Sequence, residues 1–160
     1  MNKTPVTKGE GWQTARLRKS LSAPMRAIQE YVNDLGLRSY VTLDYGCGRG
    51  SDADLLNMDK FDPNWFGPNI ITRENRDASK GYDIITNIYV LNVIKDPESR
   101  LEVLKNIQNL LSSDGIAFIA VRDDIPVNTD TQFIVEPDLD LMVKVSRRYR
   151  IYRLDKTCEL

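Results

Sequence analysis

Apolar runs alternate with polar breaks along this 160-residue chain, and the alternation predicts strands and helices in turn. Residues 40–45 are mostly apolar or β-branched, and residues 116–121 are continuously apolar, as is typical of buried parallel strands. Shorter runs at residues 58–61 and 69–72 predict two further strands, and residues 82–94 predict a longer one. These runs are spaced as in a sheet whose strands are separated by helices.

Apolar residues at helical spacing fill the intervals between the strands. Residues 22–36 predict a helix with a proline in its first turn and a glycine at its end. Residues 51–56 predict one or two turns, whose early aspartates suit the positive end of the helix dipole. An aspartate cap and regularly spaced leucines predict a helix over 96–114. Residues 137–148 predict a last helix, and residues 149–154 a last strand.

The alternation of strand and helix with short links predicts an α/β fold with a compact, open, mostly parallel, doubly wound sheet of the Rossmann-like kind. The length predicts a single domain. Residues 1–15 are polar and lack periodicity, which predicts a flexible N-terminus, so the domain is expected to cover residues 16–160.

Composition narrows the functional classes. Apolar residues make up 41%, charged residues 28%, and the net charge is −1, so the whole chain is not electrostatically drawn to nucleic acid. No apolar run is long enough to span a bilayer, and residues 1–10 lack a signal peptide's apolar stretch, so we expect a cytoplasmic protein without a membrane partner. Cys47 and Cys158 are expected to be free thiols, and a chain without histidine is not expected to bind a metal.

The candidate chemistry begins where the strand at 40–45 breaks into glycines. Gly46, Gly48 and Gly50 alternate with other residues, which indicates positive φ angles and a backbone that a ligand approaches closely. Asp44 is expected at the carboxyl end of the sheet, where open α/β sheets bind ligands. A dinucleotide fingerprint needs glycine where Ser51 stands, which disfavours a nicotinamide dehydrogenase, and the lysine of a phosphate-binding loop is absent.

The spacing Asp44-x-Gly46-x-Gly48-x-Gly50 resembles the first motif of class I methyltransferases, which bind S-adenosylmethionine (SAM). The resemblance implies that SAM is the cofactor, that the loop wraps its methionine part and that Asp44 orients its ammonium group. The residues expected to bind the cofactor are Asp44, Tyr45, Gly46, Cys47, Gly48, Gly50, Asp62, Pro63 and Trp65.

Asp62 completes the expected cofactor site. It follows the strand at 58–61 and lies 18 residues after Asp44, close to the spacing of about twenty at which a nucleotide fold places an acid on the ribose. Pro63 forces a turn there, and Trp65 is either an aromatic that stacks on the base or a core residue beneath the loop.

Three blocks resemble a narrower family, the methyltransferases encoded beside bacterial DNA phosphorothioation genes and their phage relatives. The blocks are residues 16–26, residues 43–52, and residues 62–65 with residues 89–94. This resemblance implies a bacterial or phage protein and supports SAM binding better than any substrate. The chain departs from the family in its early end, which predicts an incomplete C-terminal strand hairpin, and in a short helix after the glycine loop.

In class I methyltransferases the carboxyl end of the fourth strand faces the methyl group and the acceptor. The resemblance therefore places Asn87, Tyr89 and Asn92 as catalytic or positioning residues, although a lone asparagine such as Asn92 also caps or turns a chain. The motif Asp/Asn-Pro-Pro-aromatic is absent, which argues against methylation of a base's exocyclic amine. Without histidine or cysteine at this strand end, alignment of donor and acceptor must provide most of the catalysis.

Basic clusters leave the partners open. The segment from Arg16 to Ser22 either flanks a surface helix or forms a lid over the cofactor or a grip for an anionic substrate. The basic C-terminal residues 144–156 form a solvated face or contact nucleic-acid phosphates. A bare edge strand is expected to favour a homodimer. The sequence thus predicts a SAM-dependent methyltransferase of unknown acceptor, or a non-catalytic SAM-binding scaffold.

Overall fold

The computed structural model describes residues 15–34, 40–73, 77–145 and 147–160. Within these residues six strands form one sheet in the order β2-β1-β3-β4-β6-β5. The helices are α1 (Ala23–Asp34), α2 (Ser51–Leu56) and α3 (Pro97–Leu110), with a short 3₁₀ turn at Leu91–Val93, and the strands are β1 (Thr42–Tyr45), β2 (Asp59–Phe61), β3 (Tyr82–Ile88), β4 (Leu111–Arg122), β5 (Asp140–Val145) and β6 (Tyr149–Asp155).

The sheet brings three strand ends to one edge. Strands β2, β1, β3 and β4 are parallel neighbours, and β6 and β5 continue the sheet as antiparallel strands. In the register of the central strands, Asp44 lies between Lys60 and Thr86. Because parallel strands share their carboxyl edge, the segments that follow β1, β2 and β3 meet there.

Helices cover both faces of the sheet, which confirms the predicted open, mostly parallel α/β fold. On one face α1 packs Ile28 against a cluster that includes Phe118 and Ile151. On the other face α3 packs Ile107 into a cluster that includes Ile119, and it is capped by its preceding aspartate as predicted. None of the helices in the described ranges is long and apolar enough to cross a membrane.

The C-terminal third corrects the sequence prediction. The predicted helix over 137–148 is wrong, because residues 140–145 form β5, which pairs with β6 along its length. The predicted incomplete hairpin is therefore also wrong, since β5 and β6 form an antiparallel hairpin at the sheet edge. Valines at 143 and 145 suit a strand, and pairing with β6 outweighs the helical spacing of the apolar residues.

Three smaller boundaries also differ. Residues 69–72 are not a strand, because only Ile71 pairs with the sheet, through a single antiparallel bridge to Lys60. The strand predicted over 82–94 ends at Ile88, because Tyr89 adopts a φ of 60° that a strand does not tolerate. Strand β4 begins at Leu111, earlier than the sequence predicted. Of the flexible segment predicted over residues 1–15, only residue 15 is described. The predicted helix end at Gly36 lies outside the described residues.

Candidate active site

The loop after β1 has the geometry that its glycines predicted. Gly46, Gly48 and Gly50 have φ angles of 81°, 56° and 82°, a region that side chains rarely adopt. The amides of Gly46 and Cys47 both donate to the carbonyl oxygen of Phe61, at 2.6 and 3.1 Å, so β2 fixes the loop. The loop therefore presents its backbone at the edge of the sheet.

Asp62 closes this loop from the neighbouring strand. Its Oδ2 accepts a hydrogen bond from the Gly48 amide at 2.8 Å, and its Oδ1 accepts one from the Asn64 amide at 2.9 Å. Burial raises the pKa of Asp62, although these backbone amides favour the charged form. A carboxylate has more acceptor positions than these two bonds use, so Asp62 retains capacity for a ligand's hydroxyl groups.

Asp44 lies beneath the loop and is almost fully buried, at 4% exposure. Its Oδ1 accepts a hydrogen bond from Thr86 Oγ1 at 2.8 Å. Burial raises the pKa of Asp44 to about 7, and the nearby carboxylates of Asp52 and Asp62 add to the effect. Three acidic groups in one buried neighbourhood favour a positively charged ligand.

A cavity of about 780 Å³ opens above these carboxylates. It is large enough for a nucleotide-sized ligand. The structure brings eight of the sequence-predicted residues together in its lining: Asp44, Tyr45, Gly46, Cys47, Gly48, Asp62, Pro63 and Tyr89. Burial raises the pKa of the Cys47 thiol, which therefore stays protonated.

The other four predicted residues lie outside the lining. Gly50 is buried at the start of α2, where its φ of 82° lets the chain enter the helix. Trp65 does not face the cavity as a cover for a base. Its ring lies under the guanidinium of Arg49, which is 4.6 Å from the ring centroid. Asn87 and Asn92 are the remaining two.

Asn87 and Asn92 are fully buried and hold the backbone in place. The Nδ2 of Asn87 donates to the carbonyl oxygen of Tyr45 at 2.8 Å, which ties β3 to β1. Asn92 accepts the Arg122 amide at 2.7 Å and donates to the Phe133 carbonyl oxygen at 2.9 Å. The geometry therefore gives both asparagines structural positions, and the capping alternative for Asn92 fits it better than catalysis.

We expect Asn92→Ala to lower the free energy of unfolding by about 3 kcal/mol, because it leaves a buried amide and a buried carbonyl without partners. Chemical denaturation at neutral pH measures the loss. Asn109→Ala is the matched control, since Asn109 is exposed on α3 and its loss should be neutral or slightly stabilising. Equal stability of the two variants would contradict the structural role of Asn92.

Tyr89 is the one predicted catalytic residue that lines the cavity. Its φ of 60° is unusual for an aromatic residue, and its amide donates to the Ala120 carbonyl oxygen at 2.9 Å. Burial, followed by the charge of Asp124, raises the pKa of Tyr89 to about 12. Its hydroxyl is therefore a hydrogen-bond donor at neutral pH and not a base.

The segment 15–22 crosses the cavity edge and is tied to the start of α2. The Arg18 amide donates to Ser51 Oγ at 2.9 Å. The amide and hydroxyl of Ser22 both donate to the Asp52 carboxylate, at 2.8 and 2.6 Å. Ala15 lies against the glycine loop, close enough to restrict a side chain at Gly48. Of the alternatives open from the sequence, this geometry fits a lid.

The chain matches the model of a methyltransferase domain over residues 15–147. It belongs to this methyltransferase family. A solved TehB-like SAM-dependent methyltransferase from Corynebacterium glutamicum is 18% identical, with a TM-score of 0.56 over 86% of this chain and 89% of that one. That likeness agrees with the fold. The search of curated proteins gave no match.

Two further solved structures match at lower similarity. A SAM-dependent methyltransferase from Clostridium acetobutylicum is 15% identical, with a TM-score of 0.45 over 81% of this chain and 70% of that one. A 1,6-didemethyltoxoflavin-N1-methyltransferase from Burkholderia thailandensis is 22% identical, with a TM-score of 0.44 over 84% of this chain and 62% of that one.

SAM is the cofactor that this methyltransferase domain implies, and the cavity suits it. A side chain at Gly46 would collide with Val90, so the loop offers backbone where a ligand must approach closely. The buried carboxylates of Asp44 and Asp62 match a ligand that carries positive charge at one end and ribose hydroxyls further along.

Sequence reasoning missed part of the cavity wall. Arg122 and Asp124 line it from the end of β4, and Arg122 donates through Nε and Nη2 to Asp124 at 2.8 and 2.9 Å. The signal was present, because Arg122 directly follows the apolar run 116–121 and so had to lie at the carboxyl edge of the sheet.

Three of the C-terminal basic residues make contacts within the protein. Arg150 pairs with Asp123 at 3.2 Å, and Arg153 pairs with Asp155 at 3.1 Å. Lys156 donates to the Asn109 carbonyl oxygen at 3.2 Å. These contacts fit the solvated-face alternative, and nucleic-acid contact through this cluster stays a prediction.

Proposed function

We propose that this methyltransferase-family protein is an active enzyme that transfers the methyl group of SAM to a small-molecule or nucleic-acid-related acceptor. The observation that carries the proposal is the left-handed glycine loop, closed by Asp62 and forming one wall of a large cavity. Bound SAM supplies a methyl group already activated for transfer. The task of the chain is to hold donor and acceptor in line and to keep water out.

Each part of the wall has a role in this proposal. The glycine loop and Asp44 hold the amino-acid end of the cofactor, and Asp62 accepts the ribose hydroxyls. Tyr89, which stays protonated, donates a hydrogen bond to the acceptor.

A second candidate is a non-catalytic SAM-binding protein that acts through a partner. One observation favours it: Asn87 and Asn92 donate to backbone carbonyl oxygens and do not line the cavity, so Tyr89 alone of the three predicted catalytic residues does. Methyl-labelled SAM distinguishes the two candidates. Label that binds but is never transferred to small molecules, nucleic acid or protein in a cell extract would support the scaffold.

We expect Gly46→Ala to weaken SAM binding by at least about tenfold in calorimetry, because the new side chain is strained at a φ of 81° and collides with Val90 in the cavity wall. Gly67→Ala is the matched control. Gly67 has a φ of 89° but nothing lies within 4 Å of its added Cβ, so the strain is similar and the cavity is untouched.

Gly48→Ala provides a milder second variant if Gly46→Ala does not fold, since its Cβ would meet Ala15 at 3.0 Å. If Gly46→Ala and Gly48→Ala both bind SAM as tightly as the unsubstituted protein, the glycine loop is not the cofactor site and the proposal fails.

A further inference from the structure

The chain between β4 and β5 contains a loop whose two ends are held by one buried residue. At its start, the Arg122 amide donates to Asn92 Oδ1 at 2.7 Å. At its end, Asn92 Nδ2 donates to the Phe133 carbonyl oxygen at 2.9 Å, and the Phe133 amide donates to the Asn92 carbonyl oxygen at 2.7 Å. We call residues 122–133 the clamped loop. Compact loops with close ends frequently carry functional residues.

The clamped loop forms part of the cavity wall on the side away from Asp62. The four parallel strands lie in the order β2-β1-β3-β4. The glycine loop and Asp62 follow β1 and β2, whereas the clamped loop follows β4. Arg122, Asp124 and Gln132 line the cavity from this loop. Their polar groups are therefore placed to meet a second ligand beside the cofactor.

Gln132 carries a buried oxygen that the protein leaves unpaired. Its backbone is fixed, since its amide donates to Thr129 Oγ1 at 3.0 Å and its carbonyl oxygen accepts the Thr129 amide at 2.8 Å. Its side-chain Oε1 is buried and has no hydrogen-bond partner among the described residues. An unpaired buried oxygen lowers stability. The end of a glutamine side chain rotates easily, so this oxygen can turn to a ligand in the cavity.

Gln108 provides the contrast of a glutamine that stabilises the fold. Its Nε2 donates to the carbonyl oxygens of Asp155 and Cys158 at 2.9 and 2.8 Å, which ties α3 to the C-terminal residues. These bonds explain the presence of Gln108 by folding alone. The unpaired Oε1 of Gln132 has no such explanation, so we look for its partner in a ligand.

Asp124 offers a second acceptor of hydrogen bonds in the clamped loop. Its two carboxylate oxygens accept Nε and Nη2 of Arg122 at 2.8 and 2.9 Å, which fixes the orientation of the carboxylate. A carboxylate has about four acceptor positions, so the pair leaves some of them open. The Asp124 side chain is exposed at the cavity wall, where an entering ligand can reach it.

We propose that the clamped loop binds the methyl acceptor, and that Asp124 and Gln132 select an acceptor that presents N–H or O–H groups. This inference rests on the proposed methyl transfer. Both residues offer oxygen atoms that accept hydrogen bonds, so they match amines, amides and hydroxyl compounds. Two contacts from a fixed loop also orient the acceptor, which is the main requirement for transfer from SAM.

The test uses the ¹⁵N-labelled full chain saturated with S-adenosylhomocysteine. Aniline and phenol carry an N–H and an O–H donor, and N,N-dimethylaniline and anisole are their counterparts without a donor. Each compound is titrated separately, and the side-chain NH₂ signals of Gln132, assigned by their loss in Gln132→Met, are followed by NMR. We expect aniline, phenol or both to shift these signals to saturation, and the other two compounds to leave them unchanged. A preference for aniline indicates a nitrogen acceptor, and a preference for phenol indicates a hydroxyl.

Gln132→Met and Asp124→Asn are each expected to weaken binding of the preferred compound by about tenfold, measured on backbone amide signals, through loss of one hydrogen bond. Asp130→Asn is the matched control, because Asp130 is exposed in the same loop but does not line the cavity. The inference is overturned if Asp130→Asn has the same effect, if the compounds without a donor bind as tightly, or if none of the four binds.

Thermal unfolding of the ligand-free protein tests Gln132 independently. Gln132→Met removes an unpaired oxygen, so its Tm should be unchanged or higher. Gln108→Met loses two hydrogen bonds and should lower the Tm by at least about 2 °C. A comparable decrease for Gln132→Met would mean that its side chain stabilises the fold, and would overturn the inference.

Calorimetry with S-adenosylhomocysteine alone, done first on every variant, separates this inference from the proposed function. Failure of the unsubstituted protein to bind it overturns both. If Gln132→Met or Asp124→Asn weakens its binding as strongly as the binding of aniline or phenol, the residue contacts the cofactor and only the inference is overturned. Tight binding of S-adenosylhomocysteine without binding of aniline or phenol also overturns only the inference.

Discussion

Replacing Asp44 with asparagine is expected to stabilise the protein above neutral pH while weakening its hold on SAM. Asp44 is 4% exposed, and its Oδ1 accepts a hydrogen bond from Thr86. Burial raises the pKa of this carboxyl from 3.8 to about 7. The folded protein binds this proton more tightly than the unfolded chain does. The free energy of unfolding therefore decreases as the pH rises between these two values.

Asparagine does not titrate, so the variant escapes this decline. Relative to the unsubstituted protein, Asp44→Asn should gain up to about 4 kcal/mol in unfolding free energy as the pH rises from 4 to 8. Denaturant unfolding at several pH values measures the shift. Any fixed cost of fitting an amide into the site is the same at every pH and cancels from the comparison.

The effect on the cofactor has the opposite sign. Above pH 7 Asp44 is charged and attracts the ammonium end of SAM, whereas asparagine is neutral. We expect Asp44→Asn to bind SAM at least about tenfold more weakly at pH 8, and the gap to close as the pH falls towards 6. Calorimetry at the two pH values measures it.

Asp96→Asn is the matched control for the stability result. Asp96 is exposed, and its Oδ2 accepts hydrogen bonds from the Ser99 hydroxyl at 2.7 Å and the Ser99 amide at 2.9 Å, which lower the pKa of Asp96. Its contribution to stability is therefore present at neutral pH and is lost as the pH falls through the lowered pKa, the reverse of Asp44. A pH-independent difference for Asp44→Asn would contradict the raised pKa.

The parts of the site that the sequence predicted are those fixed by which residues directly follow each strand. Three alternate glycines after a strand can form only a tight left-handed loop, and Asp62 follows the adjacent parallel strand, so both had to reach the same edge of the sheet. Tyr89 follows β3 for the same reason. In a parallel sheet, a residue that directly follows a strand lies at the carboxyl edge, so its place in the sequence predicts its place in the fold.

The parts that the sequence left open or predicted wrongly depend on contacts between distant residues. Asn92 was open to a catalytic role until its bonds to Arg122 and Phe133, 30 and 41 residues away, were visible. Residues 140–145 have apolar residues at helical spacing, and only pairing with β6 makes them a strand. Trp65 was open to two positions, a cover for a base or the core beneath the loop, and only the three-dimensional structure shows its ring stacked under Arg49.

Replacing Asp62 with alanine is expected to weaken SAM binding by at least about 100-fold. The carboxylate accepts the Gly48 and Asn64 amides at 2.8 and 2.9 Å, so its loss releases the glycine loop and also removes the proposed acceptor for the ribose hydroxyls. Calorimetry with SAM measures the loss, and circular dichroism shows whether the variant is folded. Asp54→Ala is the control, since Asp54 carries the same charge on α2 but does not line the cavity.

A shortened ligand separates the two roles. Methylthioadenosine keeps the adenine and ribose of SAM but lacks the amino-acid end. If Asp62 holds the ribose, Asp62→Ala weakens the binding of methylthioadenosine as strongly as the binding of SAM. Asp44→Asn then weakens only the binding of SAM. Asp62→Asn keeps the size of the side chain and one acceptor, so it gives an intermediate result if the alanine variant does not fold. Unchanged affinity for methylthioadenosine in a folded Asp62 variant would place the ribose elsewhere and leave Asp62 only the task of supporting the loop.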